Sequence, residues 1–273
     1  MNSSLRVGVY VDVSNIHLNG GYRMQFDALR DFACRDGAHP VRLNAYLAYD
    51  ADKAADDFSY RHGQRQFHAA LRDLGYKVIV KNVRWYTDDN GDRYGKANMD
   101  LELAVDALTQ CGRLDRIVIA SGDGDFAYLV RALQNQGCRA EVIAFNNVSA
   151  DLKREADMYM SGYLVPGLLP IKGEHEWGAY DSRMRGVCYH YDQDKGFGFL
   201  RYLRRICPEL HVTDTRDSQS PYGTAFFHAS QLPTGFDTRH LPSREHIFEF
   251  TLRPPATEDK KDPMAVELVQ SNT

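Results

Sequence analysis

Arg116-Ile117-Val118-Ile119-Ala120-Ser121-Gly122-Asp123-Gly124-Asp125-Phe126 decides the fold class of this 273-residue chain. The run Ile-Val-Ile-Ala has no polar alternation, so it reads as a parallel strand covered on both faces. Two glycines break the strand and present a pair of carboxylates before a helix begins near Phe126. In open α/β sheets, chemistry sits just beyond the carboxyl ends of such strands. The first strand repeats the arrangement: Val7-Gly8-Val9-Tyr10-Val11 leads into Asp12-Val13-Ser14-Asn15. Aspartates delivered by two strand ends are poorly explained by packing, because clustered carboxylates repel each other. A divalent cation removes that repulsion, and hard oxygen ligands suit Mg²⁺ or Mn²⁺.

A third acidic position lies between these strands, in Lys96-Ala97-Asn98-Met99-Asp100-Leu101-Glu102-Leu103-Ala104-Val105-Asp106-Ala107-Leu108. Leu101, Ala104, Val105 and Leu108 mark an apolar helical face at i, i+3, i+4 and i+7. Each acid here also has a plainer explanation. Asp100 is favoured in a first helical turn by the helix dipole. Asp125 suits the N-cap of the helix that follows it. Glu102 and Asp106 read as charges on a solvated face.

Outward from these segments the grammar is an alternating βα pattern, which predicts an α/β fold. Residues 7–11, 41–49, 76–83, 116–121 and 139–145 read as strands. Helices are expected around Phe26, Leu29 and Phe32, over 58–74 with Gly75 as the stop, over 98–110 and over 125–136. Asp88-Asp89-Asn90-Gly91 is a turn signal and predicts a small hairpin between Trp85 and Arg93. Val165-Pro166-Gly167-Leu168-Leu169-Pro170 opens a linker. The expected division is therefore 1–165, a linker at 166–182, and a second domain at 183–273.

Composition bounds the function classes. With 43% hydrophobic residues the chain can bury one large core and one smaller one. No run approaches the ~18 apolar residues of a membrane span. The five cysteines, Cys34, Cys111, Cys138, Cys188 and Cys207, lack metal-ligand spacing and are odd in number. Neither a disulfide scaffold nor a structural zinc site is expected, and a cytoplasmic location follows. The net charge of −4 is low for a general nucleic-acid binder. Basic residues are nevertheless concentrated between Arg183 and Arg205, where only Asp192 and Asp194 oppose them.

Beyond the linker, short strands replace the βα units. Arg185–Tyr191 is followed by Lys195-Gly196-Phe197-Gly198-Phe199-Leu200, and alternation places Phe197 and Phe199 on one face. Later, Phe226-Phe227-His228-Ala229-Ser230 puts Phe226 and His228 on one face. Such rings either fill a small barrel core or form a platform for unpaired bases.

The ordered set Asp12-x-x-Asn15, Lys96-x-x-x-Asp100 and Ser121-Gly-Asp123-Gly-Asp125-Phe126 resembles the NYN branch of the PIN-like nucleases. The similarity continues through Leu129–Leu133, Gly137–Val142 and Leu152–Asp157 and spans roughly the first 165 residues. It implies a parallel-sheet Rossmannoid fold and a metal-dependent ribonuclease. Asp12, Asp100 and Asp123 carry over as ligands of Mg²⁺ or Mn²⁺. Asp125, Asn15, Ser121 and Lys96 match positions at the catalytic site. The second half resembles cold-shock domains, which are small OB-type barrels that stack unpaired bases on aromatics. Tyr191, Lys195, Phe197, Phe199, Phe226 and His228 carry over as its nucleic-acid-binding residues. The chain departs from that family in having His190 at a tryptophan position and an insertion from Arg201 to Gly223.

The two resemblances together imply hydrolysis of phosphodiester bonds in single-stranded RNA, leaving a 3′-hydroxyl and a 5′-phosphate. Single-stranded DNA is a second candidate substrate, no membrane partner is expected, and the oligomeric state is left open. The main competing reading is a catalytically inactive RNA-binding adaptor that retains the nuclease fold. A Toprim-like enzyme would want a glutamate after the first strand, where this chain has Asp12. A dinucleotide-binding oxidoreductase would want Gly-x-Gly-x-x-Gly after that strand, which is missing. A small-molecule phosphatase would leave the C-terminal aromatics without a role.

Overall fold

The computed structural model describes residues 4–88, 90–171, 173, 175–257 and 262–271, with the backbone alone at Lys96. The chain forms two compact units. One holds the residues up to Tyr22 together with Leu29–Met160, and the other holds Arg23–Ala28 and the residues from Ser161 onward.

Along the chain come β1 (Arg6–Asp12), α1 (Val13–Ile16), α2 (Phe26–Ala33), β2 (His39–Tyr49), α3 (Ala51–Asp56), α4 (Phe58–Asp73), β3 (Lys77–Asn82), β4 (Arg84–Thr87) and β5 (Arg93–Lys96). It continues with α5 (Asp100–Gln110), β6 (Arg116–Ala120), α6 (Phe126–Asn135), β7 (Arg139–Ala144), α7 (Ala150–Glu155) and β8 (Met158–Ser161). Six strands form one sheet in the order β3-β2-β1-β6-β7-β8. The pairs β3–β2, β2–β1, β1–β6 and β6–β7 are all parallel. Every residue of β6 is buried, as an unalternated apolar strand inside a parallel sheet must be. The hairpin anticipated around Asn90-Gly91 is present as antiparallel β4 and β5, with Asp89 outside the described residues.

β1 and β6 lie side by side, with Val11 opposite Ala120. Their carboxyl ends therefore reach the same rim of the sheet, on either side of the point where the chain order reverses. α5 and α6 cover one face, packing Leu103, Ala107, Leu129, Val130 and Leu133 with Tyr10, Ile117 and Ile119. Here the sequence expectation for α5 is corrected. Its buried side is Leu103 and Ala107, whereas Leu101, Val105 and Leu108 are exposed. Both stripes are apolar at helical spacing, so periodicity alone could not choose between them.

The second unit contains β9 (Arg183–Asp192), β10 (Phe197–Leu203), β11 (Tyr222–His228), β12 (Ser243–Arg253) and β13 (Met264–Gln270). They close a barrel in the order β10-β11-β13-β12-β9. All neighbours are antiparallel except β11 and β13, which run parallel. The barrel core holds Met184, Cys188, Leu200, Phe227, Phe248, Phe250 and Leu268. Gly198 lets the strands pack this closely: a Cβ there would stand 2.7 Å from the His190 carbonyl oxygen and 2.7 Å from the Phe227 ring. Among the described residues, no helix is long and apolar enough to cross a membrane.

Candidate functional site

The turn after β6 is held from three sides. The Ser121 N–H donates to the Ile143 carbonyl at 3.1 Å, and the buried Ser121 Oγ accepts the Asp123 N–H at 3.2 Å. Gly122 donates its N–H to Asn15 Oδ1 at 2.9 Å, tying this turn to the end of β1. The Gly122 carbonyl accepts the Ser149 N–H at 3.0 Å. A Cβ on Gly124 would lie 2.8 Å from Ser149 Oγ, so Ser149 would have to shift to admit a side chain at the second glycine of the motif. Asp123 Oδ1 accepts the Asp125 N–H at 2.9 Å and so orders the short span between the two carboxylates.

Asp125 precedes α6 at the cap position but makes no side-chain capping bond. Asp100 opens α5, its N–H bonded to Asn98 Oδ1 at 2.7 Å. As a result, Asp100, Asp123 and Asp125 each offer a carboxylate oxygen, and these oxygens lie within 4.8 Å of one another. The cluster carries an electrostatic cost. Burial pushes the Asp100 carboxyl above its ordinary value, a hydrogen bond from Asn98 opposes this, and the charges of Asp123 and Asp125 push it further.

Asp12 borders the cluster without belonging to that set of three. It is buried, and its Oδ1 caps α1 by accepting the Asn15 N–H at 3.0 Å. Burial raises its carboxyl to about 6; the Asn15 N–H pulls the other way, and the charges of Asp100 and Asp123 add to the rise. Sequence reasoning thus placed Asp12, Asp100 and Asp123 together as ligands, while the tight group is Asp100, Asp123 and Asp125. Asn15 and Ser121 brace the turn through backbone hydrogen bonds. The Lys96 side chain lies outside the described residues. Glu102 is committed to Lys81 Nζ at 2.6 Å, and Asp106 accepts the Tyr46 hydroxyl at 2.9 Å.

Three carboxylates with no thiol or imidazole in the group fit a hard divalent cation that keeps part of its water shell. Beside them runs a groove of about 550 Å³, walled by Leu101, Leu108, Phe126 and Tyr128 and bordered by Asn98, Asp100 and Asp125. The sequence marks Leu101 and Leu108 only as part of an apolar helical face and does not reveal that they wall a groove.

The barrel carries a second candidate surface. Phe197, Phe199 and Phe226 are half-buried, and their ring centroids lie 5.6–5.9 Å apart. β9 bulges against β10: Phe199 pairs with His190 and Leu200 with Cys188, so Tyr189 is the extra residue. Tyr189 and His190 both reach Phe199, at 6.4 and 6.0 Å. The bulge also turns Tyr191 the other way, stacked at 6.0 Å on the core ring of Phe227. Tyr191 is therefore removed from the aromatic face, and Tyr189 and His190 take its place. His228 is exposed at the end of β11, with Nδ1 accepting the Ser230 N–H at 3.2 Å. Lys195 is exposed in the β9–β10 turn, 3.6 Å from Asp192. Arg183 and Arg185, counted from sequence among the basic residues of this region, both pair with Glu249.

The fold and the cluster define an α/β domain with an acidic centre at the carboxyl rim of a parallel sheet. The NYN domain profile matches residues 6–164, and the chain belongs to that family. It is 32% identical over 162 residues to the low amplitude and bright protein LabA of Synechococcus elongatus, covering 57% of this chain and 82% of LabA. The crystal structure of a protein of unknown function from Vibrio parahaemolyticus aligns at 24% identity and a TM-score of 0.47, covering 59% of this chain and 94% of that one. Phosphofructokinase-2 from Escherichia coli aligns at 14% identity and a TM-score of 0.27, covering 58% and 56% of the two chains.

Proposed function

We propose that this protein is a metal-dependent ribonuclease that hydrolyses single-stranded RNA, with the C-terminal barrel serving as its RNA-binding module. The observation that carries the reading is the convergence of Asp100, Asp123 and Asp125 within 4.8 Å at the rim of an NYN-family sheet. A purely adaptor protein has no need to hold three mutually repelling carboxylates together.

Asp100, Asp123 and Asp125 would hold Mg²⁺ or Mn²⁺, and the buried Asp12 adds its negative field beside them. When bound, such an ion activates water and neutralises charge building on a phosphate. The protein's own contribution is positional. Asn15, Ser121 and Ser149 fix the turn that carries Asp123 and Asp125, so the carboxylates are arranged before substrate arrives. The apolar walls of the adjoining groove suit a base next to the attacked phosphate.

The strand connectivity of the barrel, with its single parallel pair between the third and fifth strands, supports an OB-type assignment of the cold-shock kind. Its ring cluster supports stacking of successive bases, which holds single strands with little sequence demand.

Incubation of the full chain with end-labelled single-stranded RNA, Mg²⁺ or Mn²⁺, and a chelator in parallel tests the proposal. Products bearing 5′-phosphates should form with either metal and vanish with chelator. Cleavage that persists in excess chelator overturns the metal centre. RNA bound but never cut under any divalent condition favours the adaptor reading.

A further inference from the structure

The insertion between β10 and β11 sits against the aromatic face and changes its chemistry at one end. Along β10, Phe197, Phe199 and Arg201 share a face, and on the paired strand Thr224 stands opposite Arg201 as Phe226 stands opposite Phe199. The Arg201 guanidinium lies over the Tyr222 ring at 5.5 Å, and its Nη1 donates to the Thr213 carbonyl at 3.4 Å. The insertion is fastened beside it: Thr224 Oγ1 bonds Thr215 Oγ1 at 2.9 Å and meets the Tyr189 hydroxyl at 3.3 Å.

A second arginine arrives from the opposite side of β9. Val187 pairs with Arg201 on β10 and with Ile247 on β12, while Cys188 pairs with Leu200 and Ser243. Residues 244–246 stand out of the ladder between those two registers, so Arg244 lies on β12, across the intervening strand β9 from Arg201 on β10. Burial lowers the Arg201 pKa and the positive charge of Arg244 lowers it further, as expected for two guanidiniums sharing one region. Among the described residues neither is in an ion pair with a carboxylate. Arg183 and Arg185 pair with Glu249, Arg216 with Asp214, Arg239 with Asp237 and Arg253 with Asp181, while Arg204 donates to the Ser220 carbonyl at 2.8 Å.

We infer that Arg201 and Arg244 form a phosphate clamp at the end of the aromatic face, gripping a backbone phosphate of the single strand whose bases stack on Phe197, Phe199 and Phe226. The inference rests on the reading of that face as the nucleic-acid interface. Two like charges held together without a carboxylate call for an anion, and planar guanidiniums match phosphate oxygens in bidentate fashion. The insertion is then part of the binding surface, and the bound strand extends past the stacked bases towards it.

The test is equilibrium binding of the full chain to a fluorescent single-stranded RNA of about 12 nucleotides, within the span of an OB-type fold. Chelator is present throughout, and salt is varied. Arg201→Gln and Arg244→Gln should each weaken binding and flatten the plot of log affinity against log salt by about 0.7, the single-strand value per phosphate contact. Phe199→Ala should weaken binding and leave the slope unchanged. Thermal melting accompanies each variant; Arg244 is exposed, so Arg244→Gln decides the matter if Arg201→Gln fails to fold. Slopes equal to wild type in the arginine variants, with Phe199→Ala still impaired, overturn the clamp alone. Wild-type protein that binds no single strand overturns the interface itself, and the clamp with it.

Discussion

Asp123 combines two roles in one side chain. One oxygen orders the turn by accepting the Asp125 N–H, while the carboxylate also belongs to the cluster with Asp100 and Asp125. Asparagine can keep the accepting oxygen but removes the charge. Asp123→Asn should therefore leave the fold intact in chelator, with a melting temperature at or above wild type, because it relieves like-charge repulsion. A marked fall in melting temperature would mean that the carboxylate is structural. The aromatic face makes a contrasting prediction. Phe199 is half-buried, so Phe199→Ala should cost roughly 1–3 kcal/mol of RNA affinity per stacked base, read by titration. If melting collapses while the affinity of the folded fraction is unchanged, Phe199 is a core residue.

Among the elements, β6 and β7 carry a buried ionic network that their outer ends share. Glu141 on β7 accepts from Arg35 Nη2 at 2.6 Å and from Arg139 Nε at 2.7 Å, with Arg116 of β6 at 3.5 Å. Arg116 also pairs with Asp36 at 2.8 Å. Glu141→Ala would leave the buried Arg35 guanidinium without a carboxylate, and removal of one partner from a buried pair costs about 3–5 kcal/mol. Urea denaturation should show that loss as a lower midpoint, and a shift near zero would contradict it. A buried thiol in each unit sets a pH limit. Burial pushes Cys138 and Cys188 each up to about 12 from an ordinary value near 9. Between those values the unfolded chain has lost the proton that the folded one keeps, so stability falls as pH rises, by at most about 1.4 kcal/mol per pH unit per thiol. Melting at pH 7.5 and 10 should separate more in wild type than in Cys138→Ala with Cys188→Ala. Equal separations would refute the assignment.

These elements also show what was readable beforehand. The parallel strands, the hairpin and the acidic turn were legible because strand burial and glycine turns leave local signatures. The burial of Glu141 has no local signature, since its buried partners Arg35 and Arg116 lie far off in sequence. The α5 stripe was misassigned because two apolar faces share one helix. The Tyr189 bulge shifts every later residue of β9 to the opposite side, and a one-residue slip has no sequence mark of its own. Asp125 could be read as a cap or as a cluster member, and only the turn geometry separates those roles.

At the scale of the whole molecule, a net charge of −4 coexists with a reading as an RNA enzyme. The acidity includes the carboxylate cluster in one unit, while Arg201 of the other unit stands on the same face of β10 as Phe197 and Phe199. Holding RNA and cutting it should therefore be separable, with binding kept in chelator and cleavage lost. The decisive measurement is the cleavage rate of saturating single-stranded RNA in Mn²⁺ by wild type, Asp100→Asn and Asp123→Asn, with RNA affinity in chelator measured on the same samples. Outer-shell partners of a metal typically change its affinity or activity by about 10–100-fold, so direct ligands should cost more than about 100-fold in rate. The account predicts that loss with RNA affinity unchanged. Cleavage at the wild-type rate by either variant would contradict it.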